Sequence, residues 1–277
     1  MCSKKLASAY DFSRKSIVIT GGTGIIGSEL SIALAQLGAN VITISRSAEF
    51  NEGLKRKIDA TPGSVLSLSG DVLDRKRLEE IAAEIKSKFG RVDALINAAG
   101  GNHPDASTSA DVSFFELPAE ALRKVADLNL LGVMLPSQVF GRLMAEQESG
   151  VVLNITSMNA FRPLTRIPAY SAAKAAVSNF TQWLAVYMAQ EYSPKIRVNA
   201  IAPGFFLTRQ NKFLLMDSKT NKLTPRGEKI IRHTPMGRFG NPEELIGAVL
   251  WLISSAAEFV TGIVLPIDGG FSAYSGV

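Results

Sequence analysis

In the stretch YSAAK, Tyr170 and Lys174 stand four residues apart, which puts a phenol and an ammonium on one face of a helix. Ser157 closes the apolar run VVLNITS, thirteen residues before Tyr170. Asn129 lies inside a helical pattern spanning 118–147, where helix propensity gives an asparagine no reason to be. Taken singly, these are a half-buried tyrosine, an exposed lysine, a strand-end serine and an oddly placed amide. Together they are the groups of a proton-transfer site acting on an oxygen.

Such a site needs elements that bring the four residues together. Short β-branched runs alternate along the chain with longer helical patterns. The runs are SIVIT (16–20), NVITIS (40–45), SVLSLS (64–69), DALINA (93–98), VVLNITS (151–157), IRVNAI (196–201) and GIVLPI (262–267). The helical patterns cover 24–38, 49–59, 74–89, 118–147, 169–192 and 242–254. Continuous apolar strands, each followed by a helix, predict an α/β fold: one domain over 1–277, a doubly wound parallel sheet of Rossmann type with helices on both faces. Ligands of such sheets bind beyond the carboxyl ends of the strands, so the residues just after each strand carry the functional information.

The first strand ends in TGGTGIIG (20–27), whose Gly21, Gly24 and Gly27 fall one turn apart. Glycines there let a pyrophosphate approach the backbone at a helix N-terminus, although a tight turn alone would also use them. After the third strand, SGDVLD places Asp71, followed by Val72, to accept a hydrogen bond from an adenine amino group; Asp74 is the better helix cap. After the fourth, Asn97, Ala98, Ala99 and Gly100 form a small-residue stretch against which a flat cofactor can lie. Two such stretches at adjacent strand ends favour a nucleotide over turn chemistry. The second strand ends ISRS, with Ser45 where an NAD-binding carboxylate would stand and then Arg46, a pattern that favours NADP(H) over NAD(H) unless Arg46 is only a solvated residue.

On Thr20–Gly27, Asp71, Asn97–Gly100, Asn129, Ser157, Tyr170, Lys174, NAIAPGFF (199–206) and DGG (268–270), the chain resembles the short-chain dehydrogenases/reductases along nearly its whole length. The resemblance implies that Tyr170 exchanges a proton with the substrate oxygen, that Ser157 orients that oxygen, and that Asn129 holds a water relaying protons from Lys174. A free tyrosine, with a pKa of about 10, is a poor base, and the Lys174 ammonium with an oxidised nicotinamide would lower it. The implied cofactor contacts are Gly21, Thr23, Gly24, Ile26, Ser45, Arg46, Asp71, Val72, Asn97, Ala98 and Gly100, together with Tyr170 and Lys174. Pro203 and Gly204 would flank the nicotinamide, and Thr208 would reach its carboxamide or the pyrophosphate. The family further implies a homotetramer with helices 118–147 and 169–192 at one interface. One departure is the loop spacing: Ile25 stands where compact members have a glycine, so Gly24 is expected to give the close approach.

Substrate contacts are expected from the loops after NAAG and after Ser157 and from a lid at about 205–240. Asn102, His103, Asn159, Arg162, Phe205 and Arg209 suit a small polyhydroxylated anion better than an acyl chain or a steroid. Arg162 could equally face solvent, and His103 could be a loop-packing residue. GGNHPD, SMNAFRPLTRIPAYSAAKAAVSNFTQWLAV, APGFF, TPMGRFG and DGGFSAYSGV resemble the D-mannonate oxidoreductase (fructuronate reductase) branch of the family. That implies reversible reduction of D-fructuronate to D-mannonate, a reaction commonly linked to NAD(H), against the NADP(H) suggested by Arg46. The alternatives are another sugar-acid or polyol dehydrogenase such as gluconate 5-dehydrogenase, a sugar-nucleotide epimerase, or a cofactor-sensing regulator on an inactive scaffold.

Bulk properties narrow the partners. The 277 residues are 46% hydrophobic and 20% charged, with a net charge of +5. The basic excess is scattered, with one loose cluster over 209–232, unlike the stripe of a nucleic-acid binder. No apolar run reaches bilayer length, no apolar leader is evident, and the single cysteine, Cys2, cannot form an intramolecular disulfide. A cytoplasmic enzyme without metal, membrane or nucleic-acid partners is expected.

Overall fold

The computed structural model describes residues 8–207, 212–217 and 220–276. Four strands are buried along every residue: β1 (Ser16–Thr20), β4 (Ala94–Asn97), β5 (Gly150–Ile155) and β6 (Ile196–Pro203). β2 (Asn40–Ser45) adjoins them, and the half-exposed β3 (Ser64–Ser69) and β7 (Val264–Ile267) form the edges. All neighbours pair in parallel in the order β3-β2-β1-β4-β5-β6-β7. This is the doubly wound sheet expected, and its order reverses between β1 and β4, where a crevice must open.

The helices are α1 (Ile25–Gln36), α2 (Glu52–Asp59), α3 (Arg75–Phe89), α4 (Ala119–Ala126), α5 (Gly132–Glu146), α6 (Pro168–Glu191), α7 (Lys212–Leu215), α8 (Pro225–Arg232) and α9 (Ile246–Ile253). Alternate strand residues feed two cores. Ile17 and Ile19 pack with Leu30 and Leu34 of α1 and Val249 and Leu252 of α9. Val18 packs on the other face with Ile81 of α3, Phe140 of α5 and Leu184 of α6. The central strands thus have both faces covered, which is why their sequences read as unbroken apolar runs.

The 118–147 pattern is not one helix. α4 and α5 are separated by a π-helical turn, Asp127–Leu131, with Asn129 at its centre. The cause is local: Asn129 Nδ2 donates to the Val125 carbonyl at 2.8 Å, inserting a side chain among the backbone acceptors of the helix. Asp74 caps α3 by accepting from Arg77 N at 3.0 Å, as its position suggested. Phe271, in the C-terminal stretch, packs on Phe205 of the same chain, ring centroids 5.2 Å apart. Among the described residues no helix is long and apolar enough to cross a membrane.

Candidate active site

A crevice of about 800 Å³ opens beyond the carboxyl ends of β1, β2, β3 and β4. Its walls include Gly21, Thr23, Gly24, Ile26, Ser45, Arg46, Asp71, Val72, Ala98 and Gly100, and Asn102 and His103 lie at its rim. The four glycines of the first loop do different things. Gly21 has φ +68°, and a Cβ there would come within 2.9 Å of the Ala99 backbone. Added side chains at Gly22 and Gly27 would strike Thr43 and the Gly21 carbonyl. A Cβ at Gly24 would meet a single atom, the Gly21 oxygen, at a tight 3.1 Å. Gly24 is also the N-cap of α1, which has no side-chain cap and no acid in its first turn. Uncapped N–H groups above an open crevice suit an anion such as a pyrophosphate.

At the β2 end, Ser45 Oγ accepts from Thr23 N at 3.2 Å, and Thr23 Oγ1 donates to Ser47 O at 3.2 Å, which fastens the glycine loop to the neighbouring strand. The Arg46 side chain has no hydrogen bond or ion pair among the described residues. Asp71 Oδ1 accepts from Leu73 N at 2.9 Å, holding the turn that also presents Val72.

Gly100 joins this crevice to the buried amine. A Cβ on Gly100 would lie 2.8 Å from Asn129 Oδ1 and 3.2 Å from Lys174 Nζ. Asn129 grips the next residue twice, donating from Nδ2 to Gly101 O at 2.6 Å and accepting from Gly101 N at 3.1 Å. Its side chain is therefore a clamp on the loop after β4. Lys174, 3% exposed, donates from Nζ to Ile155 O at 2.8 Å and lies 5.6 Å from the Tyr170 ring centroid. Burial pushes the Lys174 ammonium down to about 8.

Burial also pushes the Tyr170 phenol up, and a hydrogen bond with Ser157 only partly offsets this. Without the coenzyme, desolvation of the hydroxyl is the larger of the two effects. Ser157 caps the turn Met158–Ala160 by accepting from Asn159 N at 3.3 Å. A phenol kept protonated, a hydroxyl beside it and a buried amine with an accessible proton can deliver a proton to an oxygen bound between them.

Several expected residues are placed elsewhere. The Asn97 side chain turns into the core, donating from Nδ2 to Ser137 Oγ at 3.1 Å and to Asn154 Oδ1 at 2.9 Å, away from the crevice. Gly204 is packed against Asp268, which leaves no room for a side chain, and Pro203 is buried at the end of β6. Arg162 Nε donates to Ser272 O at 3.2 Å, so the guanidinium partly secures the C-terminal segment. His103 Nδ1 accepts from Asp105 N at 3.3 Å, and Asn102 Nδ2 donates to Ser107 Oγ at 2.8 Å, both local loop bonds. Asn159 is 5% exposed, and its Oδ1 has no partner. Thr208 and Arg209 lie outside the described residues. Lys124 and Val125 at the end of α4 and Asp127 and Leu128 of the π-helical turn also line the crevice, and no motif of the sequence marks them.

A family model described as enoyl-(acyl carrier protein) reductase matches residues 23–272. "Uncharacterized oxidoreductase UxuB" of Bacillus subtilis is 46% identical over 272 residues, covering 95% of this chain and 96% of that protein. A crystal structure from Haemophilus influenza, provisionally described as a D-mannonate oxidoreductase with bound NAD, is 44% identical with a TM-score of 0.90, covering 98% of this chain and 100% of that one. At 32% identity the likeness reaches enzymes of unlike substrates in Escherichia coli. These are a 7alpha-hydroxysteroid dehydrogenase (92% of this chain, 93% of that protein) and a 5-keto-D-gluconate 5-reductase (94% and 96%). The chain belongs to the short-chain dehydrogenase/reductase family and is an oxidoreductase of the nicotinamide-dependent kind. The NAD of the Haemophilus structure runs against the NADP(H) expected from Arg46.

The buried ammonium has a consequence for stability. A lysine with its folded pKa near 8 and an unfolded value of 10.5 disfavours the folded state below pH 8. As pH rises from 8 to 10.5, the unfolded chain holds the extra proton and the folded state gains. Lys174→Met is therefore expected to melt at a higher temperature than the parent at pH 7, with the difference shrinking from pH 8 to 10.5. Scanning fluorimetry across that range measures it, and an equal or lower melting temperature at pH 7 would contradict the assignment.

Proposed function

We propose that the chain interconverts a ketone and a secondary alcohol on a sugar acid, most specifically D-fructuronate and D-mannonate. The reaction type rests on one observation above all: the crevice suited to a dinucleotide meets the buried Lys174 amine and the Asn129 clamp at Gly100. The nicotinamide, when bound, supplies or accepts the hydride. Tyr170 gives its phenolic proton to the carbonyl oxygen as that oxygen gains charge, and takes it back in the reverse direction. Ser157 Oγ, with a lone pair engaged by Asn159 N–H, keeps its own proton for the oxygen that Tyr170 addresses. Lys174, protonated near neutral pH and free to lose its proton close to pH 8, resupplies the phenol. A raised phenol pKa favours the donor form, and so favours reduction of the ketone at neutral pH.

The sugar-acid reading is supported by the polar, cationic surroundings and by the unpartnered Asn159 Oδ1 beside Ser157, which can accept from a substrate hydroxyl. D-Fructuronate and 5-keto-D-gluconate both carry a ketone next to a hydroxymethyl group, with a carboxylate at the far end of a carbinol chain. The same site chemistry therefore serves either, and the likeness to the Haemophilus structure favours the first. The segment 205–240 acts as the lid: Leu207 N donates to Gly240 O and Gly240 N to Phe205 O, at 2.9 and 3.0 Å, stapling its two ends together. The purified protein is expected to oxidise NADH or NADPH with D-fructuronate faster than with 5-keto-D-gluconate, and Tyr170→Phe is expected to abolish the reaction. Absence of turnover with either acid in a spectrophotometric assay would refute the substrate class.

Ser45 brings no carboxylate to repel a 2′-phosphate and Arg46 is free to meet one, which supports NADP(H); the Haemophilus NAD supports NAD(H). The adenosine end admits both, with Arg46 drawing the phosphate. Arg46→Ala is expected to lower kcat/KM for NADPH about tenfold, the worth of a charge-assisted hydrogen bond, and to change that for NADH far less. Equal losses with both coenzymes would contradict this role.

The homotetramer is supported by an aromatic ladder along α6. Trp183 stacks on Phe180 at 6.1 Å and on Tyr187 at 4.9 Å, and Trp183 and Tyr187 are exposed. Trp183→Arg is expected to shift the mass measured by light scattering below that of four chains; an unchanged tetramer would remove this face from the interface.

A further inference from the structure

The loop after β4 is held at three points. Asn129 grips Gly101 at its start. Thr108 N donates to Arg166 O at 2.9 Å near its end, which ties it to the segment leading into α6. Between these, the turn Pro104–Ala106 sends the fully buried Ala106 into a small apolar cluster with Ala121 and Val125 of α4. Tyr170 packs against the same cluster, so the loop is seated beside the phenol.

His103 opens that turn and lines the crevice. Ser107 fixes its flanks, since Ser107 Oγ donates to His103 O at 3.1 Å and accepts from Asn102 Nδ2 at 2.8 Å. The ring is oriented through Nδ1, which accepts from Asp105 N at 3.3 Å. With that lone pair engaged, the neutral imidazole carries its proton on Nε2. The Asp105 carboxylate, mostly exposed and 3.6 Å from Nδ1, is too far for a hydrogen bond. Among the described residues the ring is engaged through Nδ1 alone, which leaves the N–H of its far edge for the crevice.

Depth sorts the site. Ser157, Asn159 and Lys174 are buried, whereas half of the His103 side chain is exposed. A substrate whose ketone reaches Tyr170 and Ser157 therefore has its other end toward the mouth, where His103 stands. D-Fructuronate and 5-keto-D-gluconate share the same ketone and differ only in the configuration of the carbinol next to the carboxylate. A residue that tells them apart must act at that far end. We propose that His103 selects between these acids, its Nε2–H donating to the hydroxyl next to the carboxylate. This rests on the sugar-acid reading above and names the residue that decides which acid is preferred. A donor held in place by its own loop meets that hydroxyl in one configuration and is left unpaired by the other, which is how a single hydrogen bond discriminates.

The test uses the full-length protein with His103→Leu, which removes the donor at similar volume, and His103→Gln, whose amide N–H stands near the place of Nε2–H. His103→Leu is expected to reduce the preference for D-fructuronate over 5-keto-D-gluconate about tenfold, through KM for D-fructuronate and with kcat nearly unchanged. His103→Gln is expected to keep most of the preference, and both variants to keep the parent's KM for the coenzyme. A preference that survives in His103→Leu, one lost equally in His103→Gln, or a coenzyme KM that rises in step overturns the proposal while the reaction stands. So does a parent with no preference for D-fructuronate. If the parent turns over neither acid, the sugar-acid reading fails at turnover, and calorimetric binding of D-mannonate against D-gluconate decides alone. Tighter binding of D-mannonate that His103→Leu loses and His103→Gln keeps upholds the role of His103; equal binding, or none, overturns it.

Discussion

The two hydrogen bonds between Asn129 and the Gly101 backbone hold the rest of the site in register. One amide ties the turn between α4 and α5 to the loop after β4, and with it the floor of the crevice to the buried Lys174. Gly100 sits in the gap with no room for a side chain, so the loop cannot rise without breaking the clamp or fall without striking Lys174. A backbone pair with both its donor and its acceptor engaged by a single side chain is hard to displace, because either bond lost would leave a desolvated polar group. On the proposed chemistry this matters directly, since hydride and proton must reach neighbouring atoms of one substrate from opposite sides of that loop.

The first loop shows a division of labour that glycine spacing alone does not reveal. Three of its glycines are required by the protein's own packing, against the Ala99 backbone, Thr43 and the Gly21 carbonyl. Gly24 has a single close neighbour, the Gly21 oxygen, and stands at the uncapped start of α1 among the crevice-lining residues. A loop with Ile25 in place of a glycine therefore still presents bare backbone to an anion, one residue earlier than in compact relatives.

Much of this was legible in the chain. The buried strands announced themselves as apolar runs because both faces of the sheet are covered, and strand ends pointed to the crevice because parallel sheets gather their ligands there. The π-helical turn was hidden: its cause is one side-chain bond from Asn129 to Val125 O, and apolar periodicity continues across it. Asn97 misled because strand-end position does not tell which way a side chain turns; here Asn154 and Ser137 offer it partners inside the core. The rise in the Tyr170 pKa was equally invisible, since it depends on how deeply the hydroxyl is enclosed.

These placements share an electrostatic logic. Lys174 is a cation the protein buries at a cost, and Arg46 makes no hydrogen bond or ion pair among the described residues at the end of β2. On the proposed reaction, the anions that would meet such charges are the phosphates of the coenzyme along the crevice. Binding then returns stability that the bare protein lacks, because a ligand that favours only the folded state shifts the folding equilibrium by its own affinity.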